Sequence, residues 1–128
     1  MIYKGIRYSC YREHSALLFK QHGNFDLEYI MRSTTLIELA GHVKPDYLII
    51  DRKNVRKPPA YFIQILEDRI FEELKGYGIK HVFFILPAKE LEDSDSYFKD
   101  KTSFATLTGS LQEVFGLIDE MKAHNQLH

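Results

Sequence analysis

Apolar and polar positions along the chain fall into segments of two different periods. Residues 6–12 form a first short strand. Over 14–21, Ala16 and Leu18 alternate with Leu17 and Phe19, the two-residue period of a second strand. The gap at 13–15 is short enough for the two to pair as an antiparallel hairpin. Gly23-Asn24 ends that strand, and Asn24 or Asp26 can cap a helix. Leu27, Ile30, Met31, Thr34, Ile37 and Ala40 then recur at steps of three and four. This spacing predicts an amphipathic helix over 26–42, stopped by Gly41 and Pro45.

The next segments are apolar without alternation. Tyr47–Ile50 is flanked by Asp46 and Asp51, and a run this short suits a strand covered on both faces, as in parallel sheets. Pro58-Pro59 opens a second helix. Ile63, Leu66, Ile70 and Leu74 keep one face of it, beside Phe62 and Phe71, and Glu67, Asp68, Glu72 and Glu73 occupy the other. Gly76 and Gly78 end it. HVFFIL at 81–86 is another buried strand, closed by Pro87. The charged stretch 89–101, KELEDSDSYFKDK, has no steady period and reads as a long connection. In 104–108, Phe104, Thr106 and Thr108 alternate with Ala105 and Leu107. Gly109 breaks the run, and Ser110 with Glu113 forms a capping box ahead of Val114, Leu117, Ile118 and Met121. The predicted order is β-β-α-β-α-β-loop-β-α. Right-handed crossovers would place the last three strands parallel in one sheet with helices packed on it. The expected class is α/β, or α+β by its hairpin, with a mixed sheet in one domain over 1–128.

Composition removes several function classes. The chain has 128 residues, 45% of them apolar, enough for a core without staples. Seventeen Lys and Arg oppose eighteen Asp and Glu, a net charge of −1. A nucleic-acid binder usually carries a basic excess, so no nucleic-acid partner is expected. A single cysteine, Cys10, excludes an intrachain disulfide and a Cys-rich zinc site. It reads best as a small apolar residue on a strand. The opening MIYKGIRYSCYREH has no apolar core of signal-peptide length, and no run is long enough to span a bilayer. The expectation is a soluble, cytoplasmic protein.

Three segments carry a resemblance: the hairpin around CYREHSALLFKQHG, then KPDYLIIDRKNV followed by a helix, then ELKGYGIKHVFFIL. Together they resemble the STAS domain and its relatives, the anti-sigma-factor antagonists typified by SpoIIAA. They look most like the small stand-alone SpoIIAA-like proteins of bacteria. The resemblance is one of pattern and order over most of the chain. It implies the SpoIIAA-like fold and a role in binding another protein, as in bacterial signalling. Antagonists of this family are phosphorylated on a serine in a D-S-S-G-like loop after the central strand. Here the loop 52–59 is RKNVRKPP, with no hydroxyl side chain, and no Ser or Thr occurs between Thr35 and Ser94. That phosphorylation switch is therefore chemically closed to this chain.

The candidate chemistry is sparse. Asp51 ends a buried strand as the phosphoacceptor of a receiver domain does. That chemistry also needs an acidic pair for Mg²⁺ near the first strand and a Lys after the last. The first twenty residues hold only Glu13, and Thr108-Gly109-Ser110 follows the last strand. Asp51 reads better as a hydrogen-bond acceptor for loop amides. Arg52, Lys53, Arg56 and Lys57 form a basic cluster in a nearly neutral chain. It lies where open α/β sheets bind ligands and where a helix begins. Alternatively, it is a solvated surface loop. His124 and His128 are four apart but lack a third metal ligand. His14 and His22 are too distant to share a metal, and His81 opens a buried strand as a structural residue. There is no nucleophile elbow and no phosphate-binding glycine loop. Tyr3, Tyr8 and Tyr11 are placed to decorate an exposed hairpin face.

The reading is therefore a non-catalytic regulatory module with no cofactor and no metal. Its partner is another protein or an anionic ligand met at Arg52, Lys53, Arg56 and Lys57, and a homodimer is compatible with it. The alternatives are a small-ligand or lipid-binding domain with an apolar pocket, and a degenerate receiver using Asp51.

Overall fold

A computed structural model of the protein describes residues 2–3, 6–23, 27–55, 71–87 and 104–126. The expected start of the second helix with Ile63, Leu66 and Ile70, the connection 89–101, and the caps Asn24 and Asp26 lie outside the described residues. Strand β1 (Ile2–Tyr3) pairs antiparallel with β2 (Ile6–Tyr11), and a 3₁₀ turn (Arg12–His14) leads to β3 (Ala16–Gly23). Ser15 takes the left-handed conformation that closes the turn (φ 52°). Helix α1 (Leu27–Val43) is followed by β4 (Tyr47–Val55). Residues 71–76 are helical (α2) and lead to β5 (His81–Ile85). Strand β6 (Ala105–Thr108) and helix α3 (Leu111–Gln126) complete the chain. Among the described residues no helix is long and apolar enough to cross a membrane.

The strands lie in chain order. β2 and β3 form the expected antiparallel hairpin, and β3, β4, β5 and β6 run parallel. The two-residue β1 extends this five-stranded mixed sheet at its antiparallel edge. Parallelism thus begins one strand earlier than expected, at the hairpin's own second strand. A sequential parallel order with right-handed crossovers puts successive connecting helices on one face. The core agrees: Leu36, Leu39 and Ala40 of α1 and Phe71 and Leu74 of α2 pack on Leu17, Phe19, Leu48, Ile50, Val82 and Phe84. The opposite face, Ala16, Leu18, Tyr47, Ile49, Phe83 and Ile85, packs on Val114 and Ile118 of α3.

Helix α3 is fixed at both ends. At its start the capping box forms: the Glu113 N–H donates to Ser110 Oγ (3.2 Å), and Glu113 Oε2 accepts from the Gly109 N–H (3.0 Å). Further along, the His14 ring stacks on Phe115 at 4.2 Å and Tyr11 meets the same ring edge-on at 5.0 Å. His14 Nε2 stands 3.5 Å from Asp119 Oδ1, and Lys122 Nζ donates to the Glu13 carbonyl (2.8 Å). The 3₁₀ turn between β2 and β3 is therefore a docking point for α3.

Four expectations change. Among the α1 residues whose burial is described, Ser33, Leu36, Leu39 and Ala40 are buried and Ile37 packs on the core, so Ile37 and Ala40 keep their expected side, while Met31 (62% exposed) and Thr34 face solvent. Apolar residues occupy so many positions of this helix that two rotations satisfy the spacing, and the small Ser33 permits the one adopted. Gly41 does not stop α1. The helix runs on to Val43, and Lys44 takes the left-handed position after it (φ 51°). Gly41 instead makes room for a ring, because a Cβ there would sit 3.0 Å from Tyr77 Cζ. Tyr8 and Tyr11 do not share an exposed face; they are half-buried against the α1-side and α3-side cores respectively. Cys10 is on a strand, as expected, but exposed.

Leu48 is fully buried at the centre of the sheet. Leu48→Ala should lower unfolding stability by about 2–5 kcal/mol in urea titration, through lost transfer energy and a residual cavity. Met31→Ala should stay within about 0.5 kcal/mol.

Candidate functional site at the carboxyl edge of the sheet

Four parallel strands bring their carboxyl ends to one edge, the usual ligand edge of open α/β sheets. The basic segment lies there, but not as the loop expected. β4 continues through Val55, so Arg52 and Lys53 are strand residues. Arg56 and Lys57 lie outside the described residues. The reason is pairing: β3 itself runs to Gly23, and its backbone continues the ladder past Asp51 to His22↔Asn54 and Gly23↔Val55. A run of charged side chains reads as loop, yet the alternation of a ladder tolerates it where the side chains reach solvent.

The ladder is not regular at this point. Lys20 pairs with Asp51 and His22 with Asn54, so two steps on β3 face three on β4. This is a β-bulge at Arg52–Lys53, a device that re-aims side chains beside functional sites. Asp51 serves it directly, its Oδ1 accepting the Lys53 backbone N–H at 3.0 Å. This is the hydrogen-bonding role expected of the carboxylate. Among the described residues no three His, Cys, Asp or Glu side chains are grouped as a metal ion would require.

Arg52 is the best-fixed side chain of the cluster. Its guanidinium lies 4.6 Å over the Phe84 ring, and its Nε–H donates to Gln21 Oε1 at 3.3 Å. Gln21 is itself buried. Three adjacent strands thus hold one cation at the α1-side of the edge. Lys53 next to it is exposed, as is Lys20 on β3. The N-terminus of α3 is at the same edge, but the Gly109 and Glu113 amides are already bound by Glu113 and Ser110. The edge presents the side-chain cations Lys20 and Lys53 beside this capped helix start. Phe84 and Gln21 had no distinguishing signal in the sequence, since one is an ordinary core position and the other a strand-end polar residue.

His81 is a buried structural residue, with Nε2 bonded to Thr106 Oγ1 at 2.7 Å and its ring 4.9 Å from that of Phe83. Burial pushes its imidazole below the ordinary value of 6.5. Comparison with protein-family models and with curated protein sequences finds no match to this chain.

Two outcomes follow from these contacts. Arg52→Lys should cost about 1 kcal/mol, because an ammonium cannot combine the stacking and the Nε bond, whereas Lys53→Ala should change stability by less than about 0.5 kcal/mol. Urea titration of both variants reads this. For His81 the folded state resists protonation, so the unfolded state binds more protons in acid. The resulting stability is complete above pH 6.5 and is lost as pH falls toward the folded value. Unfolding free energies measured across pH 7.5 to 5, at roughly the histidine range, should fall in the wild type. That component should be missing in His81→Gln.

Proposed function

We propose that the protein is a non-catalytic interaction module of SpoIIAA-like fold that docks an acidic segment of another protein at the carboxyl edge of its sheet. The observation that carries this reading is the Arg52 guanidinium, held against Phe84 and Gln21 with the exposed Lys53 ammonium beside it. A pre-ordered cation loses little side-chain entropy on docking, and guanidinium can meet a carboxylate with two parallel bonds. The sequential parallel order, with α1 and α2 on one face and α3 on the other, supports the family resemblance. Asp51 supports a binding rather than a phosphoryl-transfer role, because its carboxylate is engaged with the bulge amide. Arg56 and Lys57 follow in sequence and add two further cations to the segment. With no hydroxyl in 52–59, regulation by phosphate would act on the partner or elsewhere on the chain, as at Ser94 and Ser96.

The test is affinity capture from source cells with wild-type protein and with a Lys53→Glu, Arg56→Glu, Lys57→Glu variant. The wild type should retain an acidic partner at low salt and release it as salt rises, since exposed charges act by steering. The variant should fold normally and fail to retain it, mainly through a slower association rate. Equal retention by both proteins at all salt concentrations would assign the cluster to surface solvation.

A further inference from the structure

At the opposite edge, the amino ends of β4 and β5 and the second half of α3 enclose an open groove of about 500 Å³. Leu117 and Met121 give it apolar walls, and exposed Lys80 and Glu120 stand on its lining. Tyr47 and His81 also line it and are direct partners in the β4–β5 ladder, so their side chains lie side by side on the α3 face. Both are more than nine-tenths buried. Their polar atoms are incompletely used. Among the described residues Tyr47 Oη has no hydrogen-bond partner, and His81 bonds Thr106 through Nε2 alone. Yet among the described residues no side-chain nitrogen or oxygen sealed from solvent lacks a partner. Tyr47 Oη and His81 Nδ1 therefore both reach solvent, and the groove that their residues line is the opening beside them.

The His81 tautomer decides what they offer. If the Thr106 hydroxyl donates to His81 Nε2, Nδ1 carries the ring's proton. The reverse arrangement would leave the half-buried hydroxyl to donate to solvent and Nδ1 as an acceptor; the first arrangement is the one proposed. Nδ1–H and Tyr47 Oη–H are then two neighbouring donors at the bottom of an apolar-walled groove. Two donors side by side suit one acceptor oxygen. Lys80 is engaged by Asp46 (3.7 Å), and Glu120 and the exposed His124 complete the lining; the Glu120 carboxylate repels an anion, so a neutral acceptor suits the two donors. Its volume is within the usual range for small-molecule sites, and its make-up, apolar walls with a few placed polar groups, is theirs as well.

We infer that this groove is a binding site for a small uncharged molecule with an apolar body and one carbonyl oxygen, which accepts hydrogen bonds from Tyr47 Oη and His81 Nδ1. The site is separate from the basic edge and does not depend on it. Acetophenone is a suitable probe, with ethylbenzene as its counterpart of similar shape without the oxygen. In NMR titrations acetophenone should shift the His81 imidazole nitrogens and the Met121 methyl saturably. Ethylbenzene should bind roughly five-fold or more weakly, the scale of one neutral hydrogen bond. Tyr47→Phe removes only the open hydroxyl and should weaken acetophenone by a similar factor while leaving ethylbenzene unchanged. No saturable shift with acetophenone would overturn the site. Equal affinity for the two compounds, or an unchanged acetophenone affinity in Tyr47→Phe, would overturn it too.

Discussion

The burial of β4 on both faces is the constraint from which the architecture follows. Tyr47, Leu48, Ile49 and Ile50 are all nearly inaccessible, so this strand needs a hydrogen-bonded neighbour on each side and a helical layer above and below. β3 and β5 supply the neighbours. Sequential crossovers send α1 and α2 to one face, and the described core of the other face rests on α3. That helix consequently carries several independent attachments: a capping box, an aromatic stack on the 3₁₀ turn, a histidine–aspartate contact and a lysine-to-carbonyl bond. A helix with so much of one sheet face to cover cannot be left to apolar burial alone to set its angle.

Much of this was legible in the sequence, for a physical reason. Strands buried on both faces give unbroken apolar runs, so Tyr47–Ile50 and HVFFIL announce themselves. The Ser110–Glu113 box announces the start of α3, and its predicted face of Val114, Leu117, Ile118 and Met121 is the one that packs. The errors arise where a pattern admits two solutions. α1 has apolar residues around more than half its circumference, and only tertiary packing chooses between rotations. Gly41 looked like a stop because a glycine near a proline usually is one, whereas here it accommodates the Tyr77 ring from a distant turn. The tyrosines of β2 looked like surface because they sit among charged residues, yet each rests on a different core.

The basic cluster shows the same limit at the candidate site. Its residue types marked a cationic edge, and the edge is where β-α order places it. What the sequence could not display is that pairing with β3 prolongs β4, and that Arg52 lies over Phe84 and bonds Gln21. A one-dimensional charge run does not distinguish a flexible loop from a held guanidinium. The difference matters because a side chain already ordered by its neighbours loses less freedom on docking.

The two edges of the sheet are built on opposite electrostatic plans. At the carboxyl edge, cations are exposed and Asp51 is occupied by a backbone amide, so attraction acts at a distance and weakens with salt. At the amino edge, Tyr47 and His81 are buried and directional, so the binding proposed there rests on contact and short-range hydrogen bonds. Parallel strands make the separation possible, since all four send their starts one way and their ends the other. β4 nevertheless joins the two, with Tyr47 at one end and Arg52 at the other of a single extended segment. Its residues between them are packed on both faces, and a packed core passes on a shift poorly unless it has two arrangements to move between. The physical expectation for this fold is therefore two sites that share a strand but act independently.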